Sequence, residues 1–462
     1  MPQLHITRRL LLAATGALFL GGLAYSLGLT ALWQPRPAAQ AAERITYWVE
    51  GGDAAASERI ASVIRAGGWI PSTAERGSAD LEFTLTEGPA TAGVLPVAAG
   101  QPAALTGASL VTPQTRFSYY AGLPTSPVGV NVRTDIIAKL AVTKLQSGDE
   151  WSFVAAGDIG LGRSVYTQMK AAGDMSKPYR YFADTLRAAD LAVANLECAV
   201  SDDKAVITNT GMTFVAPYEA AAGLKDSGID AVSLANNHAF NGGVDGYRDT
   251  LAELKRLGLT AFGGGLTDTE AHTERIITVK GVKVALLGYS SITGSTPATA
   301  TSPGMAYLAM APWGRYTPSQ ADRMAADIAA ARTRADVVIP YFHWGTEYTH
   351  TANADQRAVA RRAIEAGADL VLGAHPHWVQ GVEWYQGKLI AYSLGNFVFD
   401  QDWSTETRQG TVLKLKFQGR HVTHAELVPY EIHGNLQPRP ASAAAAQEIL
   451  SDVHKHSWWP AP

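Results

Sequence analysis

Leu370-Val371-Leu372-Gly373-Ala374-His375-Pro376-His377 is a short apolar run that passes through two small residues into two imidazoles set either side of a proline. A run this short and this apolar suits a buried strand. Proline favours an extended backbone in the residue before it, so His375 and His377 are expected at the strand's exit. The same order of residues recurs upstream. Residues 153–156 run into Gly157-Asp158, and 191–194 into Asn195-Leu196-Glu197. Residues 231–234 run through Ala235 into Asn236-Asn237-His238, and 337–342 into His343-Trp344-Gly345. Helical patterns at 179–188, 219–225, 247–257, 320–332 and 355–366 separate these runs, with a hairpin at 276–279 and 282–287 around Gly281. Strands alternating with helices predict a mainly parallel sheet covered on both faces, an α/β fold. From Val379 onward the helices stop, and short strands at 381–385, 389–393, 411–417 and 422–428 predict antiparallel pairing.

In a parallel sheet the carboxyl ends of the strands share one edge, and ligands bind there. That edge would collect Asp158, Glu197, Asn237, His238, His343, His375 and His377. Singly, each has an ordinary explanation: Asp158 as a turn or cap residue, His238 as a loop residue bonded to backbone, the His375-Pro376-His377 triplet as an exposed turn. Their recurrence behind successive strands is what argues for one shared site. Oxygen and imidazole donors without a thiolate suit manganese, zinc or iron, and are too rich in imidazole for magnesium or calcium alone. The set is large enough for one or two divalent metal ions, and a bridging carboxylate would hold a pair roughly 3.5–4 Å apart. By contrast His421, His424 and His433 lie in or beside the terminal strand pair and read as surface residues. The spacing of Leu251, Leu254 and Leu257 reads as a helix face against the sheet, and Cys198 as a packed thiol.

The 462-residue chain is long enough for two domains and a tail. Its 38 basic and 42 acidic residues include no long basic run, which argues against nucleic acid as a partner. Arg8 and Arg9 precede an apolar stretch over residues 10–33, long enough to span a bilayer, with Pro35 and Pro37 behind it. Positive charge ahead of an apolar run sends the remainder across the membrane, so residues 1–42 read as a signal peptide or membrane anchor. Thr7-Arg8-Arg9-Leu10-Leu11-Leu12 is similar to a twin-arginine export signal. The expected location is therefore the periplasm or the outer face of the cytoplasmic membrane. Residues 43–148 read as a small α/β domain, with strands at 45–49, 81–85 and 128–132 and helices at 56–65 and 134–145. The site-bearing domain is 149–433. A Pro- and Ala-rich C-terminal tail, 434–462, carries one helical stretch near 441–453.

Six short motifs occur in order. They are Gly157-Asp158-Ile159-Gly160-Leu161-Gly162-Arg163, Ala194-Asn195-Leu196-Glu197, Leu234-Ala235-Asn236-Asn237-His238, Phe342-His343-Trp344-Gly345-Thr346-Glu347-Tyr348, Gly373-Ala374-His375-Pro376-His377 and Tyr392-Ser393-Leu394-Gly395-Asn396-Phe397. Together they closely resemble the CapA family of capsule poly-γ-glutamate synthesis or export proteins, within the calcineurin-like metallophosphoesterase superfamily. The resemblance implies a metallophosphoesterase-like fold of mixed sheets covered by helices. It implies Asp158 and His377 on one metal, Asn237, His343 and His375 on the other, and Glu197 bridging. It further implies His238 as acid/base residue and Arg163 facing an anionic group. Trp344, Glu347, Tyr348 and Asn396 would line the substrate pocket. Implied partners are an anionic polymer or phosphoester substrate and the capsule synthesis machinery, to which the N-terminal apolar run adds the cytoplasmic membrane. The activity would be that of a metal-dependent hydrolase or transferase. The rivals are a non-catalytic, membrane-anchored assembly or export factor that binds an anionic polymer, and a plain phosphodiesterase. Three positions depart from the superfamily pattern: Gly160 where a histidine is usual, Glu197 where aspartate is usual, and Asn241 where aspartate is common.

Overall fold

The computed structural model describes residues 150–204, 211–309, 318–434 and 436–458, together with short strand segments before residue 120. The chain divides into two compact units, residues 1–150 with 421–425 and 461–462, and residues 151–420 with 426–460. In the first, Thr46–Gly51 lies parallel between Ile70–Pro71 and Leu81–Leu85, and Ala108–Thr112 pairs antiparallel with Thr115–Tyr119. The apolar run at 10–33, the helices expected at 56–65 and 134–145 and the strand expected at 128–132 lie outside the described residues. Among the described residues no helix is long and apolar enough to cross a membrane.

The second unit contains two large sheets. In one, Thr260–Phe262, Ala231–Ser233, Leu191–Leu196 and Glu150–Ile159 run parallel, followed by Gln409–Gln418, His421–His433 and Gln437–Pro440. In the other, Val282–Ser290, Val337–His343, Leu370–Ala374 and Lys388–Ala391 run parallel, and antiparallel strands Arg275–Val279 and Val382–Tyr385 close the two edges. Leu191–Leu196, Val337–His343 and Leu370–Ala374 are buried along their whole length, as strands covered on both faces must be. The strand–helix pattern alone anticipated a mainly parallel sheet, while the resemblance implied mixed sheets covered by helices, and mixed sheets are what form. Alternation of strand and helix specifies parallel pairing without specifying which sheet a strand joins, and the hairpin around Gly281 opens the second sheet. The late strands divide as well: Asn396–Val398 runs parallel beside Glu150–Ile159, while Lys388–Ala391 stays with Leu370–Ala374.

The helices form where the apolar periodicity placed them, at Tyr218–Ser227, Gly243–Arg256, Pro318–Arg332 and Ala354–Glu365. The last begins with a capping box. Asn353 accepts from the N–H groups of Asp355 and Gln356, and the Gln356 side chain accepts from the Asn353 N–H. Its apolar side, Val359, Ala360, Ala363 and Ile364, is buried in the core of the second sheet. The helix at Arg163–Ala172 was not anticipated: it has no side-chain cap, and only Val165 and Met169 are buried along its length. The expected helix at 179–188 shortens to a 3-10 turn at Lys177–Tyr179 and a helix at Ala183–Arg187. The C-terminal helix forms at Ala443–Lys455.

Two glycines let backbone approach backbone beside the site. A Cβ at Gly157 would lie 1.8 Å from the Gly395 carbonyl oxygen, and one at Gly373 2.1 Å from that of Tyr392. The gap at Gly157 is the one across which the Asp158 N–H donates to Gly395.

Candidate metal centre

Both sheets deliver their strand ends to one place. Asp158 closes Glu150–Ile159, Glu197 follows Leu191–Leu196, and Asn237 and His238 follow Ala231–Ser233. From the other sheet His343 ends Val337–His343, and His375 and His377 follow Leu370–Ala374. Apart from the half-buried Asn237, all are buried, and Asp158 and Glu197 have no exposed surface.

The centre of the cluster is Glu197 Oε1. It lies 3.8 Å from His343 Nε2 and 3.9 Å from the Nε2 atoms of both His238 and His377, and it has no hydrogen-bond partner. Those separations are too long for hydrogen bonds. For His343 and His377 they match donors sharing an ion, since ligand bonds of about 2.0–2.2 Å put two donors roughly 3–4 Å apart. His375 Nδ1 is a second buried atom without a partner. Donor atoms of Asp158, Glu197 and His343 lie within 4.8 Å of one another, as do those of Glu197, His375 and His377. These triads share Glu197 but cut across the division between two ions that the resemblance implies, and Asp158 Oδ2 is also 3.6 Å from His377 Nδ1. The donors form one continuous nest around Glu197.

Three carboxamides orient the nest. Asn241 Oδ1 accepts the Phe214 N–H at 2.7 Å, which fixes its oxygen toward His238 Nδ1, 2.9 Å away. Asn396 Nδ2 donates to the Thr407 carbonyl at 3.0 Å, which fixes its oxygen toward His377 Nδ1 at 2.8 Å. In both histidines Nδ1 therefore carries the proton, and the Nε2 lone pair faces Glu197. Asn195 Nδ2 donates to Asp158 Oδ1 at 2.8 Å and lies 3.3 Å from His343 Nδ1 and 3.4 Å from Glu197 Oε2. Asn236 anchors Asn195 in turn, donating to its Oδ1 and to the Leu196 carbonyl. Asn237 Oδ1 meets His343 Nε2 at 2.8 Å.

Burial sets the charge states. It pushes His238 and His377 down to about 4, and His343 and His375 well below the ordinary imidazole range, so all four are neutral near pH 7. Burial raises Asp158 to about 6; burial first, and then the neighbouring Asp158 carboxyl, hold Glu197 well above the carboxylate range. Lone pairs and carboxylate oxygens converging on a dry point repel unless a cation lies between them. The set fits a divalent ion.

Backbone strain gathers at the same place. Of the six non-glycine residues with positive φ among the described residues, His375 (95°), His377 (57°), Tyr348 (60°) and Arg163 (55°) surround the nest. Each such residue costs on the order of 1–3 kcal/mol, and such strain concentrates at functional sites. The extended backbone expected at His375 is absent. Its left-handed turn instead points its N–H at Asp158 Oδ2, 3.2 Å away.

The position that commonly carries histidine, Gly160, faces the Phe399 ring, whose nearest carbon would be 3.0 Å from a Cβ there. Phe399 also packs edge-on against Phe214, which lies over His238. That side of the nest is aromatic and supplies no donor.

Three candidates take other positions. Trp344 is buried, stacked on Phe342 and bonded through Nε1 to the Tyr392 carbonyl, because strand alternation turns it to the core when His343 faces the site. Asn396 is fully buried with its amide engaged on both sides, so it orients His377 and cannot meet a substrate. Arg163 is salt-bridged to Asp400, donates to the Gly211 carbonyl and lies 4.2 Å over Phe214, so its charge is already paired. Glu347 and Tyr348 are half-buried beside the nest, with the Tyr348 ring 6.1 Å from that of His377. Sequence reasoning missed Asn195 as an organiser, although its place two residues before Glu197 puts both on one face of the strand. It also missed Trp403, 57% exposed and 6.1 Å from Tyr348. Of the terminal histidines, His433 is exposed and His424 half-buried, while Cys198 is buried in the core as expected.

A model of the bacterial capsule synthesis protein family PGA_cap matches residues 152–401. The PGA biosynthesis protein CapA of Bacillus subtilis is 33% identical over 333 residues, covering 69% of the chain and 82% of that protein. The capsule biosynthesis protein CapA of Bacillus anthracis is 28% identical over 340 residues, covering 71% and 79%. Among solved structures, a hypothetical protein from Thermus thermophilus aligns along its full length with 61% of the chain, at 15% identity and a TM-score of 0.40, a weak likeness.

Proposed function

The chain belongs to the bacterial capsule synthesis family PGA_cap, and from that premise we propose that it acts on poly-γ-glutamate, or a related envelope polymer, outside the cytoplasm as a metal-dependent hydrolase or transferase. The observation that carries the metal-dependent reading is the unpartnered Glu197 Oε1 with the Nε2 atoms of His343 and His377 3.8–3.9 Å away. Export is supported by Arg8-Arg9 ahead of the apolar run at 10–33.

Asp158, Glu197, His343, His375 and His377 would hold the ion, with Asn237 beside His343. When bound, a divalent ion supplies Lewis acidity toward a phosphoryl or carbonyl oxygen and a nucleophilic water near neutral pH. The chain's own residues supply the rest. Asn241 keeps the His238 Nε2 lone pair turned inward, where it can take a proton from the attacking group and return it to the leaving group. Asn195, Asn236 and Asn396 hold the ligands before the ion arrives, and burial keeps bulk water away. The test is bound-metal analysis of residues 44–462, with assays on phosphodiesters and poly-γ-glutamate. His375→Ala should lose metal and activity, and His238→Ala activity alone. Undiminished turnover in both would remove the catalytic reading.

A second reading, a non-catalytic export or assembly factor, is favoured by Phe399, which fills the side of the nest where a further donor usually stands. It expects metal to bind with no turnover of any polymer, and loss of surface polymer in a strain lacking the gene.

A further inference from the structure

Glu347 and Tyr348 sit on the loop that follows Val337–His343, and the metal centre leaves both free. Glu347 is half-buried and lies close enough to Glu197 to act on its charge. Among the described residues its carboxyl has no lysine or arginine partner, only the neighbouring Tyr348 hydroxyl. Tyr348, held in its left-handed turn by a bond from its N–H to the Pro376 carbonyl, forms the middle of an aromatic wall. The wall runs from His377 through Tyr348 to Trp378, 6.4 Å from Tyr348, and to the exposed Trp403, 6.1 Å away. The nearby guanidinium of Arg163 is already paired with Asp400.

An approach made of rings and an unpaired carboxylate is wrong for a bare run of carboxylates. It is right for an ammonium group, which gains from ring faces within about 6 Å and from a charged acceptor. Inside a γ-linked glutamate chain every amine but one is tied up as an amide, so ammonium marks the chain end. We infer that Glu347, Tyr348 and Trp403 form a subsite for the terminal ammonium group of the substrate chain, placing a bond near that end at the metal nest. This rests on the polymer reading above, and it makes the protein specific for chain ends.

The full chain loaded with Mn²⁺ is titrated calorimetrically with a γ-linked glutamate oligomer bearing a free amino end and with the same oligomer N-acetylated. The free amine should bind at least ten-fold tighter. Glu347→Gln should bring the two within two-fold of each other, and Trp403→Ala should weaken the free amine several-fold while leaving metal affinity intact. Equal affinities in the unsubstituted protein, or a preference that survives Glu347→Gln, overturn the subsite. If neither oligomer binds, the polymer reading fails, and the subsite is judged by n-butylammonium quenching of tryptophan fluorescence. Saturable quenching lost in Trp403→Ala and in Glu347→Gln sustains it; no response overturns it.

Discussion

Glu197→Gln should change stability in opposite directions with and without metal. In the metal-free protein Glu197 Oε1 is fully buried without a partner, beside the Asp158 carboxyl. A buried unsatisfied acceptor costs about 1–3 kcal/mol. Burial holds Glu197 well above the carboxylate range, whereas glutamine is neutral at every pH and offers an N–H to an imidazole lone pair now 3.8–3.9 Å away, which a small side-chain shift brings into range. The metal-free variant should therefore be more stable by roughly 1–3 kcal/mol, a rise of about 1–2 °C in Tm per kcal/mol for a unit of this size. With metal the order reverses. An ion at a thousand times its Kd stabilises the native state by about 4 kcal/mol. Without the shared carboxylate, most of that gain should vanish. The assay is thermal unfolding of both proteins in chelator and in excess Mn²⁺. A metal-free variant less stable than its parent, or an unchanged metal-induced rise in Tm, would refute the reasoning.

Asn396→Leu strips His377 of its acceptor and leaves the Thr407 carbonyl unpaired; it should lower metal affinity about 10–100-fold and cost about 1–3 kcal/mol of stability, read by calorimetric titration and denaturant unfolding. Metal affinity should also depend on pH. Burial raises Asp158 to about 6 and holds Glu197 higher than the ordinary carboxylate range, and the ion binds only the ionised forms, so affinity should fall steadily as pH drops through about 6. A Kd that is flat from pH 5 to 7 would contradict this. In the metal-free protein His238 and His377, pushed down to about 4, bind protons more readily once unfolded. Their contribution to stability is present above about 6.5 and lost as pH falls through 4, measurable by unfolding across that range. Gly157→Ala would drive a methyl group into the Gly395 carbonyl and should destabilise by more than about 3 kcal/mol, read by denaturant unfolding.

The strands and most helices were legible because burial writes itself into hydrophobic pattern: 370–372 and 337–342 could hardly be anything but covered strands. The nest was legible because its donors stand directly behind those strands. What escaped were matters of partner and direction. Periodicity names a strand's neighbours poorly, so the pattern alone did not say which of the two sheets each strand joins. Motif adjacency placed Trp344 beside His343, but alternation along the strand sent the indole into the core. The task of Asn396 is set by the carbonyl of Thr407, eleven positions away, which no local pattern reveals. Arg163 stood in the right motif, yet Asp400, distant in sequence, had already taken its charge.

The convergence of donors on Glu197 Oε1 is tested most directly by crystallising the protein with Mn²⁺ and collecting anomalous data. An anomalous peak is expected about 2.0–2.3 Å from Glu197 Oε1, with imidazole nitrogens from His343, His375 or His377 completing the shell. Full-occupancy metal elsewhere, with this nest holding only water, would contradict it.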